Sequence, residues 1–238
     1  TKGYPDEPLL YNISGACYKE IGQLDDAAKS FEKAVTLKPD YAEAQYNLGV
    51  VFRELGQVDA AIKSYENAIA IKHAYPNVHN NLGNIFLELN QLKPAVDHFE
   101  WAVAYSPEFD TAHNNLGSTL LALGQVDAAV ESYEKALAIK PDYAEAHNNL
   151  GIALHRLGKI DAAVESYEKA LAVNPDYAEA HNNLGNAFKE LGQLDVAVES
   201  YKKALALRPD YAYAHYNLGN VFKELGQLDD ATKSYEKA

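Results

Sequence analysis

The chain has 238 residues, 47% of them hydrophobic, with 21 basic against 34 acidic side chains and a formal net charge of −13. That acidity disfavours nucleic acid, whose phosphates need a basic footprint, and disfavours an anionic membrane surface for the same reason; no stretch reaches the apolar length of a membrane span. Cys17 is the one cysteine, so no internal disulfide forms and nothing points to an oxidising compartment. No methionine occurs and Thr1-Lys2-Gly3-Tyr4 has no apolar signal core. The chain is therefore expected to be a piece of a longer protein, with the cytoplasm as its default compartment.

Gly15, Gly49, Gly83, Gly117, Gly151, Gly185 and Gly219 follow one another every 34 residues. Self-similarity at that period is the mark of a solenoid of stacked supersecondary units, which offers an extended surface and seldom a catalytic pocket. Residues 1–238 read as one array, with units starting near residues 8, 42, 76, 110, 144, 178 and 212 and the last truncated at Ala238. Residues are compared below by their position in the unit, position 1 being Pro8, Ala42, Pro76, Asp110, Ala144, Ala178 and Ala212.

In chain order, Tyr4-Pro5-Asp6-Glu7 reads as the tail of a preceding repeat. The first two units follow regularly, and Asp40/Glu43, like Asp142/Glu145 and Asp176/Glu179, is spaced as a capping box opening the next first helix. Residues 72–109 are irregular. His73 replaces the usual proline, Pro76 moves into a helix start, Asn90 replaces a glycine, and Pro94 falls in a first helical turn, where it is tolerated. Trp101 stands on an outer face, either as a partner anchor or as cover for its neighbours.

The unit at 178–211 shows the pattern cleanly. Ala180, Leu184, Ala187, Phe188 and Leu191 fall on one arc of a first helix and Glu179, Asn182, Asn183, Asn186, Lys189 and Glu190 on the other. Gly192 can take a left-handed cap, Asp195 is placed to cap a second helix, and Pro209 stops it. The second helix is expected to bury Leu194, Ala197, Val198, Tyr201, Ala204 and Leu205. Rings at position 24, from Phe31 to Tyr235, fill space beside the small residues. The seventh unit ends inside its second helix without a polar capping helix, so end-to-end self-association is expected.

Leu184-Gly185-x-x-Phe188, then Ala197-x-x-x-Tyr201-x-x-Ala204, then Pro209, resembles the signature of the tetratricopeptide repeat (TPR) family, and it recurs from Pro8 to Ala238. The resemblance implies an all-α fold: a TPR solenoid of helix-turn-helix repeats forming a right-handed superhelix, whose concave groove is lined by the polar arc of the first helices. At position 4, often tryptophan in the family, this chain has His79, His113, His147, His181 and His215. Equivalent residues of stacked repeats lie about 10 Å apart, too far to share one ion at about 2 Å, so the histidines read as structural. No metal or cofactor is expected.

The candidate site is an asparagine ladder. Position 6 is Asn47, Asn81, Asn115, Asn149, Asn183 and Asn217; position 5 adds Asn80, Asn114, Asn148 and Asn182; position 9 adds Asn84, Asn186 and Asn220. Asparagine is a mediocre helix former, so helix stability does not ask for it. A carboxamide both donates and accepts, and a row of them can clasp the backbone of an extended chain. The other reading has position 6 bonding to a neighbouring repeat to keep register; the two are compatible. Leu87 and Leu121, with Ala122 and Ile152, make a less charged centre that could seat an apolar side chain.

The ladder resembles the asparagine-lined TPR superhelix of O-linked N-acetylglucosamine transferase and bacterial TPR arrays attached to glycosyl- or sulfotransferase domains. TPR cochaperones that clamp a C-terminal carboxylate carry lysine at position 2, where this chain has Leu9, Glu43, Asn77, Thr111, Glu145, Glu179 and Tyr213. No nucleophile–base pair, carboxylate dyad or phosphate loop stands out. The expected function is a non-catalytic protein-interaction scaffold that binds an extended polypeptide in the groove. The alternatives are the substrate-recognition arm of a larger transferase and an end-to-end assembly module.

Overall fold

The computed structural model describes residues 7–238, so Tyr4, Pro5 and Asp6 lie outside the described residues. The described residues form fourteen α-helices and no strand: α1 (Pro8–Glu20), α2 (Leu24–Leu37), α3 (Ala42–Glu54), α4 (Val58–Ile71), α5 (Pro76–Glu88), α6 (Leu92–Tyr105), α7 (Asp110–Ala122), α8 (Val126–Ile139), α9 (Ala144–Arg156), α10 (Ile160–Val173), α11 (Ala178–Glu190), α12 (Leu194–Leu207), α13 (Ala212–Glu224) and α14 (Leu228–Tyr235). Odd-numbered helices open each repeat and even-numbered helices close it. They fall into two compact units, residues 1–108 and 109–238. No described helix is long and apolar enough to cross a membrane.

The turn inside each repeat is short because the backbone satisfies itself there. Gly192 takes φ +73°. Its N–H donates to the Lys189 carbonyl at 3.0 Å, and the Gln193 N–H donates to the Phe188 carbonyl at 2.9 Å. These paired bonds form a Schellman closure of the first helix. In the third repeat Asn90 takes the same place at φ 57°, a conformation asparagine tolerates better than other side chains.

Two cap assignments need correction. The second helix starts at Leu194 with Gln193 at its N-cap, and the first helices start at Ala42, Ala144 and Ala178 with Tyr41, Tyr143 and Tyr177 there. None of these starts has a side-chain cap bond. Asp195, Glu43, Glu145 and Glu179 lie instead inside the first turn, where the helix dipole favours a carboxylate. The closure leaves too few linking residues for Asp195 to stand outside the helix it was expected to cap.

Within a repeat, the two helices meet at the position-8 glycine. A Cβ built on any of the seven would come within 2.5–2.7 Å of the position-24 ring, the tightest being Gly151 against Tyr167. Between repeats lies the rest of the core. In the first unit, Ala27 and Phe31 of α2 pack with Leu48 and Val51 of α3, and Ala61, Tyr65 and Ala68 of α4 with Val78, Leu82 and Ile85 of α5. In the second, Ala163 and Tyr167 of α10 pack with Leu184 and Ala187 of α11, and Ala197, Val198 and Tyr201 of α12 with Leu218 and Val221 of α13. In these four pairs the second helix finds its apolar cover on the next repeat, as the absence of a self-sufficient unit requires. Leu194 and Leu205 are half-buried at the edge of this core and Leu191 is exposed.

The position-4 histidines also work at these joints. His147, His181 and His215 donate from Nε2 to the carbonyls of Pro141, Pro175 and Pro209 at 2.9, 3.0 and 2.9 Å. Among the described residues no group of three or more His, Cys, Asp or Glu gathers as a metal site. First helices also touch one another, α1 on α3 in the first unit and α7 on α9, α9 on α11 and α11 on α13 in the second.

Replacing Gly151 with Ala should destabilise the second unit by about 1–3 kcal/mol through overpacking against Tyr167. That outweighs the roughly 1 kcal/mol that alanine gains over glycine in a helix interior. Urea unfolding measures the difference, and a variant as stable as the parent would show that the contact is not tight.

Candidate peptide-binding groove

The asparagines of positions 5 and 6 find each other across the joints. Asn47 Nδ2 donates to Asn12 Oδ1 at 3.0 Å in the first unit. In the second unit Asn149 donates to Asn114 at 3.1 Å, Asn183 to Asn148 at 3.0 Å and Asn217 to Asn182 at 3.1 Å. The partners are 35 residues apart, one repeat plus one position. The position-5 acceptors Asn12, Asn114, Asn148 and Asn182 are buried, while the position-6 donors are half-buried. Asn12 and Asn114 also donate onward to Glu43 and Glu145 of the following repeat at 3.2 and 3.1 Å.

The ladder is therefore a clasp between repeats. Its buried half serves as acceptor, and its half-buried half faces outward along the first-helix layer. A carboxamide has two N–H donors and an oxygen with two lone pairs; the clasp engages an N–H of Asn47, Asn149, Asn183 and Asn217, and Asn149 also lies 3.5 Å from Ser118 Oγ. The clasp has a gap at the third repeat. Tyr46 occupies position 5 of the second repeat and packs on Tyr65 and Tyr75 at ring distances of 6.1 and 5.3 Å. Asn81 accordingly donates to the Tyr65 hydroxyl at 3.3 Å. Asn80, Asn84 and Asn115 are half-buried.

The position-9 residues are held from below by the position-24 rings. Tyr201 and Tyr235 donate their hydroxyls to Asn186 and Asn220 Oδ1 at 2.7 and 2.9 Å, and Tyr133 donates to Ser118 Oγ at 3.2 Å. Burial pushes the Tyr133 phenol up to about 12 and raises that of Tyr201 as well, so both remain protonated donors at neutral pH. Rings placed by sequence as space-fillers thus also orient groove amides. Their hydroxyls were the legible signal, since the same positions in the first and third repeats are Phe31 and Phe99.

Charges on the same layer are matched across joints, a relation missed when positions 12 and 13 are read separately. Lys19 pairs with Glu54 at 3.7 Å and Arg53 with Glu88 in the first unit. His155 meets Glu190 at 2.9 Å and Lys189 meets Glu224 at 3.0 Å in the second. Where position 12 is Leu121, the facing residue is Arg156, which donates to the Leu121 carbonyl at 3.2 Å. Leu121 itself is buried and Leu87 half-buried, so Leu121 supports the layer from beneath.

A family model described as TPR repeat matches residues 15–56, 51–90, 117–158, 153–192 and 185–226, well over half of the chain. No curated protein matches. Among solved structures, pilF of Pseudomonas aeruginosa superposes with a TM-score of 0.75 at 21% identity, covering 92% of this chain and 96% of its own. YrrB, a TPR protein with an unusual peptide-binding site, gives 0.68 at 24% identity over 79% of this chain and 96% of its own. MamA gives 0.60 at 26% identity over 66% of this chain and 91% of its own.

The hydroxyl contacts can be tested within one molecule. Tyr201→Phe removes the bond to Asn186 and should cost about 0.5–1.5 kcal/mol. Tyr167, whose position-9 neighbour is Ile152, should lose less on the same change. Equal losses in thermal or urea unfolding would contradict a role for the hydroxyl in holding position 9.

Proposed function

The chain belongs to the TPR repeat family, and from that premise we propose that it holds an extended polypeptide along the first-helix layer, with the position-6 asparagines on the ligand backbone. A TPR array is a protein-interaction scaffold; the proposal concerns how this one grips. The observation that carries it is the row of half-buried carboxamides held in one orientation by the clasp. Successive first helices stand about 10 Å apart, and an extended chain covers that distance in about three residues. One amide therefore meets every third peptide group whatever the side chains between. The peptide-binding site of YrrB agrees in kind, although that likeness is one of fold.

The partner's backbone supplies polar groups that must be paired when they leave water. Carboxamides already fixed by the clasp offer those partners with little further loss of side-chain freedom, and such preorganisation favours affinity. Pairing of position-12 cations with position-13 carboxylates leaves the layer nearly neutral, so recognition rests on hydrogen bonds. No reaction is assigned to the chain.

Triple replacement of Asn115, Asn149 and Asn183 by Ala tests the proposal. In fluorescence anisotropy with labelled, unstructured dodecapeptides of mixed sequence, binding should weaken by about 0.5–1.5 kcal/mol per lost hydrogen bond. The helices should persist by circular dichroism at the assay temperature. Affinity of the parent should fall only modestly from low to physiological salt, because screening acts on exposed charges far more than on neutral hydrogen bonds. A folded triple variant that binds as tightly as the parent, or a steep salt dependence, would overturn the reading.

A further inference from the structure

The repeats serve as their own standard of comparison, and α6 departs from it on its outer face. Position 26 is lysine in the first, fourth, fifth, sixth and seventh repeats and asparagine in the second; in α6 it is Trp101. The residues before it are acidic, as in α8 and α10. Asp97 and Glu100 stand at positions 22 and 25, where α8 has Glu131 and Glu134 and α10 has Glu165 and Glu168. In α8 and α10 a lysine, Lys135 or Lys169, follows the two carboxylates at helical spacing from the first. On α6 an indole stands at that position and the lysine, Lys93, lies one turn before Asp97, where every other repeat has aspartate; the carboxylates of α6, like those of α8 and α10, form no ion pair among the described residues.

The indole is also held in place. Tyr105 stacks on Trp101 at 5.4 Å with an interplanar angle of 20°, and His73 meets it edge-on at 5.6 Å. His79 lies parallel at 6.2 Å, and its Nδ1 is 3.1 Å from Nδ1 of His98. Histidine at 73 and 98 and tyrosine at 105 are themselves departures, standing where the other repeats have proline, serine and aliphatic residues. The core of the repeat does not need them, because Ala95, Phe99 and Ala102 on the opposite face are already fully buried. Trp101 nonetheless remains 46% exposed. Together with Asp97, Glu100 and Ala104 it lines a shallow open cleft of about 390 Å³.

We propose that this cleft is a docking site for an arginine side chain of a partner protein, its guanidinium lying over the Trp101 indole and paired with Asp97 and Glu100. The partner's guanidinium takes the place on the helix face that Lys135 and Lys169 occupy at position 26 in α8 and α10. A guanidinium stacks on an aromatic face and donates to carboxylates in a planar fork, which a lysine ammonium cannot reproduce. The charge of −13 on the whole chain favours approach of a basic segment. Burial depresses the basicity of both His79 and His98, the latter to about 4, so this pair stays neutral and adds no positive charge against the carboxylates.

Trp101 is the only tryptophan of the chain, so its fluorescence reports the site directly. The probe is the peptide acetyl-Gly-Arg-Gly-Gly-Arg-Gly-amide, compared with its citrulline counterpart, which keeps the shape and loses the charge. The arginine peptide should give a saturable change in Trp101 emission and bind at least about fivefold more tightly than the citrulline peptide. Asp97→Asn combined with Glu100→Gln should remove that preference, whereas Glu131→Gln combined with Glu134→Gln on α8 should leave it intact. Trp101→Lys, followed with a labelled peptide, should abolish binding. Equal binding of the two peptides, an unchanged preference in the Asp97/Glu100 variant, or no saturation up to about 10 mM would each overturn the proposal. Tighter binding of tetramethylammonium than of the arginine peptide would overturn the assignment to a protein side chain.

Discussion

The contact between the position-8 glycine and the position-24 ring sets how closely the two helices of each repeat approach, and every other relation in the fold inherits that distance. With a hydrogen in place of a methyl group, the ring lies flat against the first-helix backbone. Its hydroxyl, where it is a tyrosine, then reaches the far side of that helix and bonds to position 9. The same ring forms the floor on which the next first helix rests, with Leu184 and Ala187 over Tyr167 and Leu218 and Val221 over Tyr201. One small residue therefore couples packing within a repeat, packing between repeats and the orientation of polar groups on the exposed layer. Large side chains cannot be accommodated here by adjustment, because packed interiors respond to a single added methyl group.

On that foundation the asparagine clasp turns a stack of helices into a defined surface. A buried amide without partners would be costly, and position-6 donors satisfy the position-5 acceptors Asn12, Asn114, Asn148 and Asn182. Register is fixed by hydrogen bonds whose geometry a slipped joint cannot reproduce. The same bonds fix the rotamers of the outward amides, so structural and recognition roles reinforce each other. Cross-joint ion pairs act more weakly, since pairs as exposed as Lys19–Glu54 contribute at most about 1 kcal/mol. Their larger effect is to cancel charge along the layer.

The helices, their order, the left-handed cap at Gly192 and the irregular starts at Pro76 and Pro94 are all legible in the chain because they depend on residues within one helical turn. The joints are less legible. A helical wheel places Asn182 and Asn183 side by side on one polar arc, yet the first is buried and the second half-buried. The difference arises from a neighbour 35 residues away, which no single-helix projection contains. Positions 12 and 13 show the same thing, since Arg156 looks like variation until Leu121 of the previous repeat is placed opposite it. Asp195 lies inside α12 and not at its cap because the Schellman closure at Gly192 draws the start of the helix forward to Leu194. Trp101 is the one departure whose neighbours make sense only in three dimensions, where His73, His79 and Tyr105 close around it.

The account rests on the clasp being an interaction between repeats and not two independent preferences, and a double-mutant cycle on Asn148 and Asn183 tests this most directly. Each residue is replaced by Ala, singly and together, and stability is read from urea unfolding. The clasp predicts a coupling energy of about 0.5–1.5 kcal/mol, because either single change already breaks the bond. Losses that add to within about 0.3 kcal/mol would mean that the two amides act separately, and the clasp would not be what holds the repeats in register.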